Sequence, residues 1–314
     1  MKIKKIIVTG GAGFIGSHLC KFLLTEGHNV VCIDNLLTGS KKNLADIYEN
    51  SNFKFIEHDI INPYYDDDVD EIYNLACPAS PVHYQINPIK TIKTNTLGVI
   101  NMLGLAKKNN AKILQASTSE VYGDPEIHPQ SETYNGNVNM IGPRSCYDEG
   151  KRCAEAILYS YKKRTDFYIG RIFNTYGPFM QANDGRVISN FVNQAISNQK
   201  ITVYGDGSQT RSFCFVDDMV KLLELLIDSD IRYQNPFNIG NPKEMQIKDV
   251  AEKIVQLSNS SSKIDYYDLP KDDPLQRRPD ISLIEKTFSW KPKVELEYGL
   301  NETIKYFTKL KERF

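Results

Sequence analysis

The sequence predicts an α/β protein built on a doubly wound parallel sheet, with a smaller, discontinuous C-terminal α/β part. Strand-length apolar runs alternate with helical stretches through the first half, and a glycine turn separates the first run from the first helix. Past residue 178 that alternation gives way to helices with few runs between them. Strands separated by helical crossovers imply right-handed βαβ units, with helices covering both faces of the sheet.

In chain order, residues 3–8 form an apolar run of strand length, and 17–26 has helical spacing with Leu19, Phe22 and Leu23 on one face. Further strands are expected at 30–33, 53–57 and 71–75, followed by one helix at 91–109 and a strand at 112–116. A helix at 147–163 and a strand at 168–173 complete the alternating part. Beyond it, 186–197, 215–228, 246–257 and 301–311 read as helices, and 263–267 as a short strand. The helix at 215–228 is expected to return to the first unit, which would then take 1–178 plus about 212–240. The second would take about 179–211 plus 241–314.

Composition narrows the function. The 314 residues are 41% hydrophobic and 25% charged, within the ordinary range for a globular chain. Lys and Arg (38) nearly balance Asp and Glu (39), which argues against a dedicated nucleic-acid binder. No apolar run approaches the ~20 residues that span a bilayer, and the run at 6–8 is too short for a signal-peptide core. The six cysteines, at 20, 32, 77, 146, 153 and 214, form no CxxC pair and no zinc-like spacing. They are expected to be reduced, buried thiols in a cytoplasmic protein, and no metal is expected.

The first strand runs directly into Gly10-Gly-Ala-Gly13-Phe-Ile-Gly16. Glycines there let the chain turn, let backbone approach a pyrophosphate, and let helix pack closely on strand. The helix N-terminus then offers free N–H groups and a positive dipole to phosphates. The spacing is GxxGxxG, but the strand before it and the helix after it supply the context of a Rossmann-type dinucleotide site. Asp34 ends the second strand, where a carboxylate accepts bonds from an adenosine ribose and repels a 2′-phosphate. NAD is therefore favoured over NADP.

A second constellation follows the strand at 112–116. Ser117, Thr118, Ser119 and Glu120 lie at its carboxyl end, the edge at which open α/β sheets bind ligands. Tyr147 and Lys151 are four apart on a helix and so share a face. A free phenol has a pKa of ~10 and is a poor base at neutral pH. A nearby ammonium and a positive nicotinamide ring would lower it, and Thr118 could bond the same substrate hydroxyl.

The glycine loop, STSEVYG at 117–123 and the Tyr147/Lys151 pair resemble the extended short-chain dehydrogenase/reductase superfamily. Longer stretches resemble the UDP-glucuronate decarboxylase (UDP-xylose synthase) family. Among them are NPIKTIKTNTLG at 87–98, ASTSEVYGDPEIHPQSE at 116–132, GPRSCYDEGKR at 142–152, RIFNTYGP at 171–178, NDGRVISNF at 183–191, VYGDGSQTRSF at 203–213 and DDPLQRRPDI at 272–281. The resemblance implies a homodimer that binds NAD and converts UDP-glucuronate to UDP-xylose and CO2. The sugar would be oxidised at C4 with Tyr147 as base, lose its C6 carboxylate as a β-keto acid, and be reduced again, recycling the cofactor.

The resemblance also implies roles for individual residues. Glu120 and Arg277 would serve decarboxylation, with Arg277 preferred to Arg278 because it fits the family's R-x-P-D. Lys93 and Tyr65 would reach the substrate, together with Ser119 and less securely Tyr64. Asn174, Arg186 and Arg211 are expected around the UDP phosphates and ribose, and Tyr204 near the uracil. Phe14, Ile15, Asn35, Leu36, Thr38 and Gly39 would complete the cofactor site near Asp34. Asp59, Ile60, Leu75, Ala76 and Thr94 would line its other wall.

Two related activities share the oxidising pair. A sugar 4,6-dehydratase usually has an acid where Ser119 stands, and a 4-epimerase typically lacks one at Glu120. A non-catalytic NAD-binding protein on the same fold would commonly lose Tyr147 or Lys151, and both are present.

Overall fold

The computed structural model describes residues 2–312 except 183–184, 230, 232–234 and 270–275. Those gaps take in the first two residues of the stretch at 183–191 and the first four of that at 272–281; every candidate site residue lies within the described part. β1 (Lys5–Thr9) leads through the glycine turn into α1 (Phe14–Thr25), then β2 (Asn29–Asp34), β3 (Phe53–Glu57) and β4 (Glu71–Asn74). Two short helices, α2 (Pro81–Ile86) and α3 (Pro88–Lys93), precede a π-helical turn (Thr94–Gly98) and α4 (Val99–Asn109). β5 (Lys112–Thr118) and a 3₁₀ turn (Ser119–Tyr122) lead to α5 (Ser145–Ser160), β6 (Phe167–Ile172) and β7 (Thr175–Tyr176). Then follow α6 (Val187–Ile196), β8 (Ile201–Tyr204), β9 (Thr210–Ser212), β10 (Cys214–Phe215) and α7 (Val216–Asp228). The chain ends with β11 (Pro236–Ile239), β12 (Glu244–Gln246), α8 (Ile247–Leu257), β13 (Ile264–Tyr267), β14 (Gln276–Arg277), α9 (Ser282–Phe288) and α10 (Leu296–Lys311).

Seven strands form one sheet in the order β11-β6-β5-β4-β1-β2-β3, every pair parallel. β1 (iBBBB from Lys5 to Thr9) and β4 are buried along almost their whole length, as strands covered on both faces must be. One face packs α1 and α7 through Leu19, Leu23, Leu222, Leu223 and Leu226. The other packs α4 and α5 through Met102, Leu103, Ala154 and Leu158. Each fully buried leucine or methionine among them contributes about 1.5–3 kcal/mol of transfer free energy. The expected return of the 215–228 helix is thus observed, since α7 lies against α1, β5 and β6. From β1 the chain moves to β2 on one side and later to β4 on the other. That reversal opens a crevice at the carboxyl ends of the strands.

Smaller sheets set β9 between β12 and β14, and pair β13 with β8 and β10 with β7. The helices α6, α8 and α10 pack together beside them.

Three expectations need correction. The single helix at 91–109 is broken into α3, the π-helical turn and α4. Thr94 and Thr96 each bond the carbonyl four residues back, and Asn95 lies where a Cβ on Gly150 of α5 would come within 3.1 Å of its side chain. The inserted residue lets this segment press on α5, and such bulges tend to occur at functional sites. Second, β11 has no counterpart among the expected strands. Its run is short and starts at Pro236, so no alternation marks it. It is held by Asn238, whose Nδ2 donates to Gln130 O at 2.9 Å and Asp280 O at 3.1 Å. Third, the cysteines are free thiols, but Cys153 is exposed and Cys77 only half-buried. Among the described residues no helix is long and apolar enough to cross a membrane.

Candidate active site

The crevice is a cleft of about 720 Å³, within the ~300–1,000 Å³ typical of ligand pockets. Its first half is made by backbone. Gly10 has φ +67, and a Cβ there would sit 2.9 Å from the Ala76 backbone. A Cβ on Gly16 would lie 2.2 Å from Gly10 O, so α1 can start against the turn only without one. The helix begins at Phe14, three residues earlier than its spacing suggested, and no side chain caps it. Its first N–H groups face the cleft beside Gly13, Phe14, Ile15 and Gly16. An uncapped N-terminus at a crevice suits an anionic group such as a pyrophosphate.

Asp34 ends β2 at the same place. Its Oδ1 accepts from Leu36 N at 2.8 Å and its Oδ2 from Ala12 N at 3.0 Å. Burial raises its pKa, while the two amides pull it back. A Cβ on Gly39 would lie 2.9 Å from both oxygens, so this glycine leaves the carboxylate uncovered. Asn35, Thr38, Asp59, Ile60, Leu75, Ala76 and Thr94 also line the cleft. Leu36 does not. Its positive φ (57) aims the amide at Asp34 and sends the side chain into the core, so Leu37 takes the cleft-facing position.

The Tyr147/Lys151 pair is buried at the centre: Tyr147 is 5% and Lys151 3% exposed. Thr118, at the end of β5, hydrogen-bonds the Tyr147 phenol. Lys151 donates to Ala116 O at 2.8 Å, and its Nζ is 5.8 Å from the centroid of the Tyr147 ring. Burial pushes the phenol up, against the pull of Thr118, and pushes the lysine down. In this geometry burial outweighs Thr118 and leaves the phenol high. Tyr84 of α2 lies flat on Tyr147, centroids 4.9 Å apart and planes within 5°, and its own hydroxyl is buried without a partner.

Beside the pair lies a cluster of charges. Glu120 accepts from Arg277 through Oε1 and from Arg144 through Oε2. Arg277 also donates to Gly123 O at 3.0 Å. Burial works to raise the pKa of Glu120, but Arg277, Arg144 and Arg211 outweigh it and hold the carboxyl below its usual range. Arg211 and Arg277 are register partners across β9 and β14, which fixes their side-by-side placement. Asp148, next to the tyrosine, is lifted to about 7, first by burial and then by the charge of Glu120.

Ser119, Asn174, Arg186, Tyr204 and Arg211 line the rest of the cleft, where the sequence placed the substrate. Lys93 and Tyr65 do not reach it. Lys93 lies on the exposed side of α3, and Lys90, one turn earlier, lines the cleft instead and pairs with Asp59. Tyr65 is 76% exposed, and Tyr64 leans on His58 and Asp66. Arg278 does not line the cleft either. Sequence reading missed Arg144, Tyr84, Lys90 and Asp148. Arg144 carried a usable signal, standing three residues before Tyr147 and so on the same helical face.

The family model described as GDP-mannose 4,6 dehydratase matches residues 7–303. UDP-glucuronic acid decarboxylase 1 of Xenopus tropicalis is 52% identical over 98% of this chain and 72% of its own length. UDP-glucuronic acid decarboxylase 6 of Arabidopsis thaliana is 52% identical over 94% of this chain and 86% of its own. Among solved structures, a UDP-N-acetylglucosamine 4-epimerase from Methanobrevibacter ruminantium superposes with a TM-score of 0.90. It is 30% identical over 99% of this chain and 100% of its own. A dTDP-glucose 4,6-dehydratase from Bacillus anthracis, solved with NAD, gives 0.85 at 27% identity over 98% of both chains. The fold is thus common to several activities, while the sequence identity falls on one of them. The chain belongs to the UDP-glucuronic acid decarboxylase family.

Proposed function

We propose that this chain converts UDP-glucuronate to UDP-xylose and CO2, using NAD that is regenerated in each turnover. The observation that carries the reading is Glu120 held between Arg144 and Arg277 beside Tyr147 and Thr118, with Ser119 where a dehydratase needs an acid. The glycine turn, the uncapped start of α1 and Asp34 would hold the dinucleotide. NAD, when bound, accepts a hydride from C4 of the sugar and later gives one back.

The residues supply the rest. Tyr147 takes the proton of the 4-hydroxyl, steadied by Thr118. Because burial, with Cys77 and Glu120, raises this phenol, lowering it would fall to the positive charge of the oxidised cofactor and the more distant Lys151. Oxidation at C4 makes the C6 carboxylate β to a ketone, so CO2 leaves without a metal or further cofactor. The guanidiniums of Arg277 and Arg144 orient that carboxylate and stabilise the enolate left behind. Glu120 organises the proton delivery to C5.

Incubation with NAD and UDP-glucuronate should release CO2 and yield a UDP-pentose. Persistence of the uronate, with UDP-glucose converted instead, would sink the reading. We also propose a homodimer. Ile89, Ile92, Leu97 and Ile100 are exposed along α3, the π-helical turn and α4, an apolar face of the kind that a second copy covers. Light scattering that returned the 35.8 kDa of one chain would rule this out.

A further inference from the structure

After β7 the chain at 178–181 lies against the cofactor half of the cleft, which Phe179, Met180 and Gln181 line together with Gly10, Gly16 and Asp34. Phe179 has φ +67, a left-handed conformation that a bulky side chain rarely takes. Its ring is gripped by three partners. The His18 ring lies 5.0 Å away between centroids, the Tyr306 ring of α10 5.1 Å, and the Lys21 ammonium 3.9 Å from the Phe179 centroid. Beside it, His18 Nε2 donates to Pro178 O at 2.9 Å. His18 and Lys21 belong to α1, the helix whose uncapped start faces the cleft. Two residues on, Gln181 Nε2 donates to Thr38 O, in the loop that follows Asp34.

This short segment is thus tied to two elements that are remote from it in sequence. They are the two that, on the reading above, hold the pyrophosphate and the adenosine ribose. The tie through Gln181 lies at the surface, whereas Met180, between the ties, is 3% exposed and lines the cleft. Backbone strain of the kind seen at Phe179 persists only where the surroundings over-determine it, and it tends to mark a functional constraint. The proposed reaction supplies one. The hydride taken from C4 has to be returned after CO2 leaves, so the chain must keep the reduced cofactor in place meanwhile. Loss of NADH at that stage would turn UDP-glucuronate and NAD into CO2, a UDP-4-keto-pentose and NADH. The proton given to Tyr147 from the 4-hydroxyl balances the one gained at C5.

Resting on that reading, we propose that residues 178–181 form a strap that retains the reduced cofactor between the two hydride transfers, anchored by Phe179 and Gln181. Both are positioning residues. They act by joining α1 and the Thr38 loop across the cofactor half, and not on the reacting atoms.

The test reads the rate of release. Protein loaded with NADH is mixed with excess NAD, and the loss of bound-NADH fluorescence is followed by stopped flow for wild type, Gln181→Ala and Phe179→Ala. Loss of one hydrogen bond should speed release by about 3–10-fold in Gln181→Ala. Loss of the ring contacts should speed it by at least about tenfold in Phe179→Ala. During turnover of UDP-glucuronate, both variants should also accumulate NADH in excess of the enzyme, with UDP-4-keto-pentose visible by NMR, in the order of their release rates. A merely structural role would lower the melting temperature and move neither readout. Release at the wild-type rate in either variant, or faster release without more keto product, would overturn the inference. Should Phe179→Ala not fold, Phe179→Leu, which stays apolar but has no ring, takes its place. Failure of the underlying reading looks different. There wild-type protein itself would give no bound-NADH signal and release no CO2 from the uronate.

Discussion

The two halves of the cleft are built from different materials. The half nearest β1 and β2 consists of backbone and of side chains that are missing. Gly16 leaves 2.2 Å where a Cβ would strike Gly10 O, and Gly39 leaves Asp34 bare. The half nearest β9 and β14 consists of long charged side chains drawn from remote places, with Glu120 and Arg277 lying 157 residues apart in sequence. The whole fold is similar to that of a solved epimerase and a solved dehydratase. The comparison teaches that cofactor binding depends on space and backbone, and can be inherited unchanged. On the proposed function the outcome of the reaction would depend on a few charges, which can change with little change of fold.

Variants should separate the halves. Tyr147→Phe removes the proposed base and should cost at least about 10³-fold in turnover while NAD still binds, as fluorescence titration would show. A variant that kept full rate would end the catalytic reading. Glu120→Gln should lower turnover by about 10–100-fold, with the first oxidation, read as NADH absorbance in a single turnover, less affected than CO2 release. Equal loss in both steps would place Glu120 in the oxidation instead. Gly16→Val acts on the other half. Its side chain meets Gly10 O, and displacement of the turn should cost about 1–3 kcal/mol of stability and reduce NAD affinity with it. An unchanged melting temperature would show that the turn yields more easily than the packing suggests.

The smallest expected effect concerns pH. Asp148 is raised in the folded protein to about 7, whereas an unfolded aspartate titrates near ~3.9. The folded state thus binds the extra proton across that window. Stability carried by the protonated form is fully present below the unfolded pKa and is lost as pH rises toward 7. Relative to wild type, Asp148→Asn should lose less stability between about pH 4 and pH 7, measured by urea unfolding at each pH. Parallel curves would contradict the assignment.

The sequence made the first half readable because its signals are local. GxxGxxG between a strand and a helix, and an aspartate at the end of the next strand, need no knowledge of distant residues. The Tyr147/Lys151 spacing is equally local. What stayed hidden was set by geometry that one-dimensional spacing does not carry. Lys93 and Lys90 are three apart on one short helix, yet the turn of α3 sends only Lys90 into the cleft. Leu36 and Leu37 exchange roles because of a single positive φ. Arg144 became visible as a member of the charge cluster only once α5 stood beside the 3₁₀ turn and β14. The π-helical turn within the expected 91–109 helix has the same origin, since it answers to packing on α5 and not to its own periodicity.

The central claim is that this charge cluster directs the common oxidation toward loss of CO2. One reaction tests it most directly: protein, NAD, and equal amounts of UDP-glucuronate and UDP-glucose, followed by NMR. The account predicts UDP-xylose and CO2 appearing together while UDP-glucose stays intact. UDP-galactose or a 4-keto-6-deoxy sugar appearing while the uronate persists would contradict it.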